Sequence, residues 1–373
     1  MSPQTLTQAQ ARTFLLACIS PNPNPNVLRP ILCDPPIDWA ALYRLADCHK
    51  MVGIIAPLLN ELLQGALPET PEAPWRSRWR ALAVRELSQR AALAEILLLT
   101  QAHGIQPIVI KGLPVHLQVY PARSVRGACD LDLLVQPSQL PTVVRCLESA
   151  GFALRNKDPL GQPVSHWSKL VRKTSEADYL RARDGIAVDL HWSLCAPIEE
   201  RCAGITLLKH FWMNTRSLQM ERVMCEIPGR EEELLLVSLH LMRRGPFHLR
   251  GLYDLILLLE SPPQVDWARL IHLARQTGTA ATAFHAFELA SPFCPGRLPQ
   301  DVRDRLRPSS RLRWILSPSL RLDHLVKTQG HDRGNLGLRW KGVLFSQRPW
   351  IWLPYETALR GKCVLRKIWG VLR

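Results

Sequence analysis

The feature that most constrains this chain is Asp130-Leu131-Asp132-Leu133-Leu134-Val135, where carboxylates alternate with apolar residues before the run turns wholly apolar. Period-two spacing of this kind describes a β-strand with one wet end, and a strand sets both carboxylates on the same face. Two acids held side by side repel, so a fold that keeps them must supply something cationic nearby. The sequence around this strand is therefore where chemistry is to be sought.

Upstream, the β-branched run Ile108-Val109-Ile110 predicts a strand that ends at Lys111-Gly112, followed by a short helix, Leu113–Tyr120, stopped by Pro121. Arg126 lies four residues before Asp130. Downstream, Ile186–His191 reads as another strand, with Asp189 at a mid-strand position where an apolar residue is expected. A paired acid on one strand and a third acid on a neighbouring strand form a donor set for divalent cations, which neutralise charge in displacements of pyrophosphate. Lys111 by itself reads as a strand-end cap, and Arg126 as a structural bridge to Asp130 or Asp132. His191 and Trp192 are adjacent, so one of them should face the core.

Residues 1–105 read mostly as helices. The Pro- and Asn-rich stretch 21–37 is expected to be a loop or extended linker. Asp38 is expected to cap a helix running through the following apolar-periodic segment, and Arg78–Ala102 to form another that ends near Gly104. Pro141–Ala150 predicts a helix. Phe152–Arg155, Val164–Val171 and Tyr179–Arg183 predict strands, with Asp184-Gly185 as a hairpin turn before Ile186. From Arg216 to Ala290 the pattern reads as helical, where His240, His248 and Asp254 look like packing or supporting groups. The string Asp38-Trp39-Ala40-x-Leu42-x-x-Leu45-Ala46 recurs at Asp266–Ala274, which implies two helices started the same way.

Charge is unevenly spread. Of the formal +15, residues 303–373 carry +12, from sixteen Lys/Arg against four acids, which leaves a nearly neutral body. That Arg- and Trp-rich extension attracts anions, so nucleic acid, an acidic protein and an anionic surface are all candidate partners. Ten cysteines without any Cys-x-x-Cys spacing argue against a structural zinc site or a disulfide framework. No apolar run approaches the roughly 18 residues of a spanning helix, and the first residues lack a secretory pattern. A cytoplasmic protein without a membrane span is expected.

The stretch from Ile108 to Val135, with Ala187–Leu194, resembles the uncharacterised nucleotidyltransferase family of the DNA polymerase β-like superfamily. The resemblance rests on Lys111, Gly112, Tyr120, Arg126, Asp130, Asp132, Leu134, Val135, Asp189, His191 and Trp192, and extends over roughly residues 35–290. It implies an α+β protein: a small mixed sheet with flanking helices, an N-terminal helical segment and a C-terminal helical bundle. The corresponding divisions are 1–79, a core at 80–215, a helical domain at 216–300 and the basic extension 301–373. The activity it implies is Mg²⁺- or Mn²⁺-dependent transfer of a nucleoside monophosphate from an NTP to a hydroxyl or phosphate acceptor (RNA, peptide or small molecule), with release of pyrophosphate. In this reading Asp130, Asp132 and Asp189 hold metal and catalyse, whereas Lys111, Gly112, Arg126 and His191 meet the nucleotide. The superfamily usually has Gly-Ser or Gly-Gly where this chain has Lys111-Gly112. That departure keeps open a catalytically inactive binding or adaptor protein, and the basic tail keeps open a nucleic-acid-binding one.

Overall fold

Apolar residues at alternate positions assemble seven short segments into one mixed sheet. The structure is a computed structural model that describes residues 3–33, 36–156, 166–169, 171, 174–194, 206–243 and 248–308. A small hairpin, β1 (Glu69–Thr70) with β2 (Ala73–Pro74), stands apart. The large sheet contains β3 (Ile108–Ile110), β4 (Leu131–Leu134), β5 (Phe152–Leu154), β6 (Glu176–Arg181), β7 (Ile186–His191), β8 (Thr215–Met220) and β9 (Val223–Pro228). Its order is β5-β6-β7-β4-β3-β9-β8. The pairs β4–β7 and β3–β9 are parallel and the others antiparallel. The expected α+β class is thus borne out.

The helices are α1 (Pro3–Ala17), α2 (Pro25–Cys33), α3 (Trp39–Cys48), α4 (Val52–Leu62), α5 (Trp75–Gln101), α6 (Gly112–Val119), α7 (Leu140–Ser149) and α8 (Leu208–Met213). They continue with α9 (Arg230–Arg243), α10 (Leu249–Glu260), α11 (Trp267–Gln276), α12 (Ala280–Ala290) and α13 (Gln300–Leu306). Helices α5 and α7 cover one face of the sheet: Leu93, Ile96, Val143 and Leu147 meet Val109, Leu131, Leu133, Val188 and Leu190 in one buried cluster. The other face differs from strand to strand. At β3 and the end of β4, Ile108, Ile110 and Leu134 join a second core built by both the N-terminal helices and α9–α13. At β7 and β6 the same face carries Asp189, His191, Glu176 and Asp178 instead. The apolar half is roofed by helices, and the polar half forms the site.

Two expectations about helix starts hold closely. Asp38 Oδ1 accepts from Ala41 N at 2.9 Å, and Asp266 Oδ1 accepts from Arg269 N at 2.9 Å, so the repeated string marks the same capping device twice. Four expectations are corrected. The 21–37 stretch contains α2, because Pro25 stands in the first turn, where its missing N–H costs nothing, and Leu28 and Leu32 bury one helical turn apart. The helix begun at Asp38 breaks at Lys50, whose φ of 60° ends α3 before α4. Of Val164–Val171, the described residues Trp167–Lys169 form a 3-10 turn rather than a strand. Finally, residues 215–228 are the β8–β9 hairpin, not helix; their burial alternates along each strand, and the run is helical only from Arg230. Apart from α13 and the residues up to 308, the basic extension lies outside the described residues. Among the described residues no helix is long and apolar enough to cross a membrane.

Candidate active site

Strand register decides which acids meet. Asp132 on β4 and Asp189 on β7 are direct Cα partners, and Asp189 is likewise the partner of Asp178 on β6. Three carboxylates therefore stand in one row across adjacent strands spaced about 4.8 Å apart. Ligand atoms of Asp132, Asp189 and His191 lie within 4.8 Å of one another, as do those of Glu176, Asp178 and Asp189. Asp189 belongs to both sets. Asp130 sits just before β4, outside both sets and half-buried. Its charge nevertheless reaches Asp189.

The electrostatics of the row are strongly polarised. Burial, followed by the neighbouring Asp130, Asp132 and Asp178 charges, pushes the Asp189 carboxyl up to about 8. Asp132 goes the other way: burial would raise it, but the Lys111 ammonium and His191 hold it well below the ordinary carboxylate range. Lys111 Nζ donates to Asp132 Oδ1 at 2.7 Å, and His191 Nε2 lies 2.9 Å from that same oxygen. The other ring nitrogen of His191 lies 3.0 Å from Glu176 Oε2. Burial and Lys111 would lower the imidazole, yet the bonds to Asp132 and Glu176 outweigh them and raise it. Trp192 turns the opposite way, nearly buried in the core beneath α5 and α7, with its Nε1 donating to Thr174 O. The expected split between His191 and Trp192 is what the fold does.

Lys111 reaches Asp132 from an unusual backbone. Its φ is 58° and its ψ −130°, a region that costs about 1–3 kcal/mol for a residue with a Cβ. The turn ends β3, starts α6 at Gly112 and swings the side chain toward β4. Gly112 packs closely there, since a Cβ would lie 3.4 Å from both Arg126 Nη1 and Ala128 Cβ.

Arg126 does not bridge to Asp130 or Asp132. Its Nε and Nη2 donate to the two oxygens of Asp254 on α10, at 2.8 and 2.7 Å. Tyr120 O–H donates to Asp254 Oδ1 at 2.5 Å. Both partners are buried, and Asp254, though burial opposes it, raises the Arg126 guanidinium further. Asp254 was legible only as a supporting group on a helix. Glu176 and Asp178 were missed because the strand was expected to start at Tyr179; the alternation Glu176-Ala-Asp178-Tyr is the signal that places them on it.

The loop carrying Arg126 and leading to Asp130 is suspended from several helices. Ser124 O faces His116 Nε2 of α6 at 3.0 Å, and Gly127 O accepts from Arg250 Nη1 of α10 at 2.6 Å. Ala128 O accepts from Gln89 and Cys129 O from Arg85, both on α5. Val125 N donates to Gly53 O of α4 at 2.9 Å. A Cβ on Gly53 would come within 2.2 Å of Val125 O, a backbone atom with nowhere cheap to go. Gly53→Ala is therefore expected to destabilise the protein by about 1–3 kcal/mol. Urea denaturation checks this; a variant as stable as wild type would show that the loop is not wedged against α4.

The family model described as uncharacterised nucleotidyltransferase matches residues 35–295, which includes every strand of the large sheet and the helices α3 to α12. No curated protein matches the chain.

Proposed function

The chain belongs to the uncharacterised nucleotidyltransferase family, and from that premise we propose that it transfers a nucleoside monophosphate from an NTP to a hydroxyl or phosphate acceptor, with release of pyrophosphate. One observation carries the reading: Asp132 and Asp189 are register partners on parallel strands, beside a Lys-Gly turn that opens a helix. The donor set fits a hard divalent cation. It is made of carboxylate oxygens, and the mutual repulsion that adds to burial in raising Asp189 is what a cation would relieve. Asp132 and Asp189 would hold Mg²⁺ or Mn²⁺, with His191 close enough to take part, and Asp130, just before β4, would complete the set. Bound there, the metal would supply charge neutralisation for the phosphates.

The chain's own residues divide the remaining work. Asp189, whose carboxyl is raised by burial and then by its acidic neighbours, aligns the attacking hydroxyl and takes up its proton. His191 braces Asp132 against Glu176. Gly112 lets the start of α6 approach the phosphates closely, and Arg126 lies beside it. Lys111 is a point charge beside Asp132. Lys111→Ala is expected to raise the KM for NTP more than it lowers kcat, because a charge that meets phosphate in ground and transition state alike contributes uniform binding. An unchanged KM in steady-state pyrophosphate release would remove Lys111 from that role.

The ion pair of Lys111 with Asp132 also favours a second reading, in which the protein binds nucleotide as an adaptor without turnover. Incubation with each labelled NTP, Mg²⁺ and a cell extract separates the two: a labelled acceptor supports transfer, and nucleotide binding with no pyrophosphate supports the adaptor. The acceptor is RNA, a peptide or a small molecule, in a cytoplasmic setting. Residues 303–373 would recruit an anionic partner by their charge. Deleting them should weaken that recruitment and leave pyrophosphate release intact, whereas a protein acting only through its tail would have no such release to retain.

A further inference from the structure

Behind the Lys111–Gly112 turn, two arginines share the neighbourhood of one carboxylate. Arg126 takes both oxygens of Asp254. Arg250 lies four residues before Asp254 on α10, one helical turn away on the same side. Its Nη1 donates to the carbonyl of Gly127, the residue that follows Arg126. Among the described residues no carboxylate comes within ion-pair distance of Arg250. Burial, and then repulsion from Arg126, makes its charge harder to hold, and Asp254 offsets this only in part.

The surroundings add positive character. Gly112, the first residue of α6, lies against Arg126 Nη1, and the first turn of α6 contains no acid. A helix start carries a partial positive charge, so a loop built for stability alone would place a carboxylate here rather than a second guanidinium. A surplus, half-buried positive charge of this kind is relieved by an anion.

We propose that Arg250 is the second arginine of a polyphosphate subsite, in which it and Arg126 grip the terminal phosphates of the nucleotide. This deepens the nucleotidyl-transfer reading and rests on it. Planar guanidinium groups fork onto pairs of phosphate oxygens, so the subsite takes a multiply charged chain of phosphates. Arg126 would offer Nη1, the nitrogen outside its chelate with Asp254. Arg250 would offer the part of its fork that Gly127 does not use.

The probe is inorganic tripolyphosphate, titrated calorimetrically into the full chain with chelator present and at low salt. Wild type is expected to bind it, and Arg250→Gln to bind about tenfold or more weakly, as loss of charge-assisted hydrogen bonds implies. Mn²⁺ binding read by electron paramagnetic resonance should be the same in both, since the acid row is untouched. A residue that merely staples the loop would change melting temperature and leave tripolyphosphate affinity alone. Equal affinity in wild type and Arg250→Gln overturns the inference; if that variant does not fold, equal affinity in Arg250→Lys, which keeps charge but not the fork, overturns it instead. Wild-type protein that binds NTP with Mn²⁺ but not tripolyphosphate rejects the subsite and spares the activity. Wild type that binds neither rejects both.

Discussion

Replacing Asp189 by Asn is expected to lower nucleotidyl transfer by about a thousandfold or more and to leave the fold intact. Asp189 is the point where both donor groups overlap, with Asp132 and His191 on one side and Glu176 and Asp178 on the other. An amide in its place keeps the shape and removes the charge that holds a cation and accepts a proton. Pyrophosphate release measures the first effect and circular dichroism the second; turnover near wild type would rule out Asp189 as a metal ligand. Stability of the metal-free protein gives an independent readout with a defined sign. Asp189 binds its proton more tightly when folded, at about 8, than an unfolded aspartate does. Its contribution to stability is therefore present below the ordinary carboxylate range and is lost as pH rises toward about 8. Asp189→Asn should lack that part of the decline, so at alkaline pH the variant should unfold no more readily than wild type. Asp132→Asn would be a less clean test, because Asp132 also anchors Lys111 and His191.

Asp254→Ala should destabilise the protein by about 3–5 kcal/mol, the cost typical of removing one partner of a buried ion pair. The alanine would leave the Arg126 guanidinium buried without its carboxylate and the Tyr120 hydroxyl without its acceptor. The pair is enclosed on both sides, with side-chain exposures of 9% and 5%, so water offers little compensation. Urea denaturation monitored by tryptophan fluorescence reads the loss. A change below about 1 kcal/mol, the scale of exposed pairs, would mean that Arg126 finds another partner. Asp254 is a positioning residue in this account, and the kinetics should reflect that. Asp254→Asn, which retains the acceptor oxygen, should recover part of the stability but still raise the KM for NTP, as Arg126 loses its fixed orientation.

Much of the site could be read from local pattern. Alternation put Asp132 and Asp189 on strands with wet faces, and Lys111-Gly112 lay where a strand had to turn into a helix. The repeated Asp-Trp-Ala string gave two helix starts, because capping is decided within four residues. Two misreadings had local causes as well. Pro25 and Pro30 hid α2, although Pro is tolerated in the first turn and burial of Leu28 and Leu32 can outweigh one lost hydrogen bond. The β8–β9 hairpin was hidden by the long helical run that follows it.

What the sequence determined by itself is the chemistry on offer: two acids at period-two spacing, a third at a mid-strand position, a cationic turn, and a chain whose net charge is gathered into its last fifth. What only the tertiary structure decided is who meets whom. Asp178 joins the row, Glu176 braces His191, and Arg126 finds Asp254 across 128 residues of chain. The division has a physical basis. Strand alternation, turn strain and capping act over a few residues and leave their mark in the string. The partner of a buried charge is fixed instead by how distant helices pack around it, and low local dielectric makes that partner obligatory only after packing has excluded water.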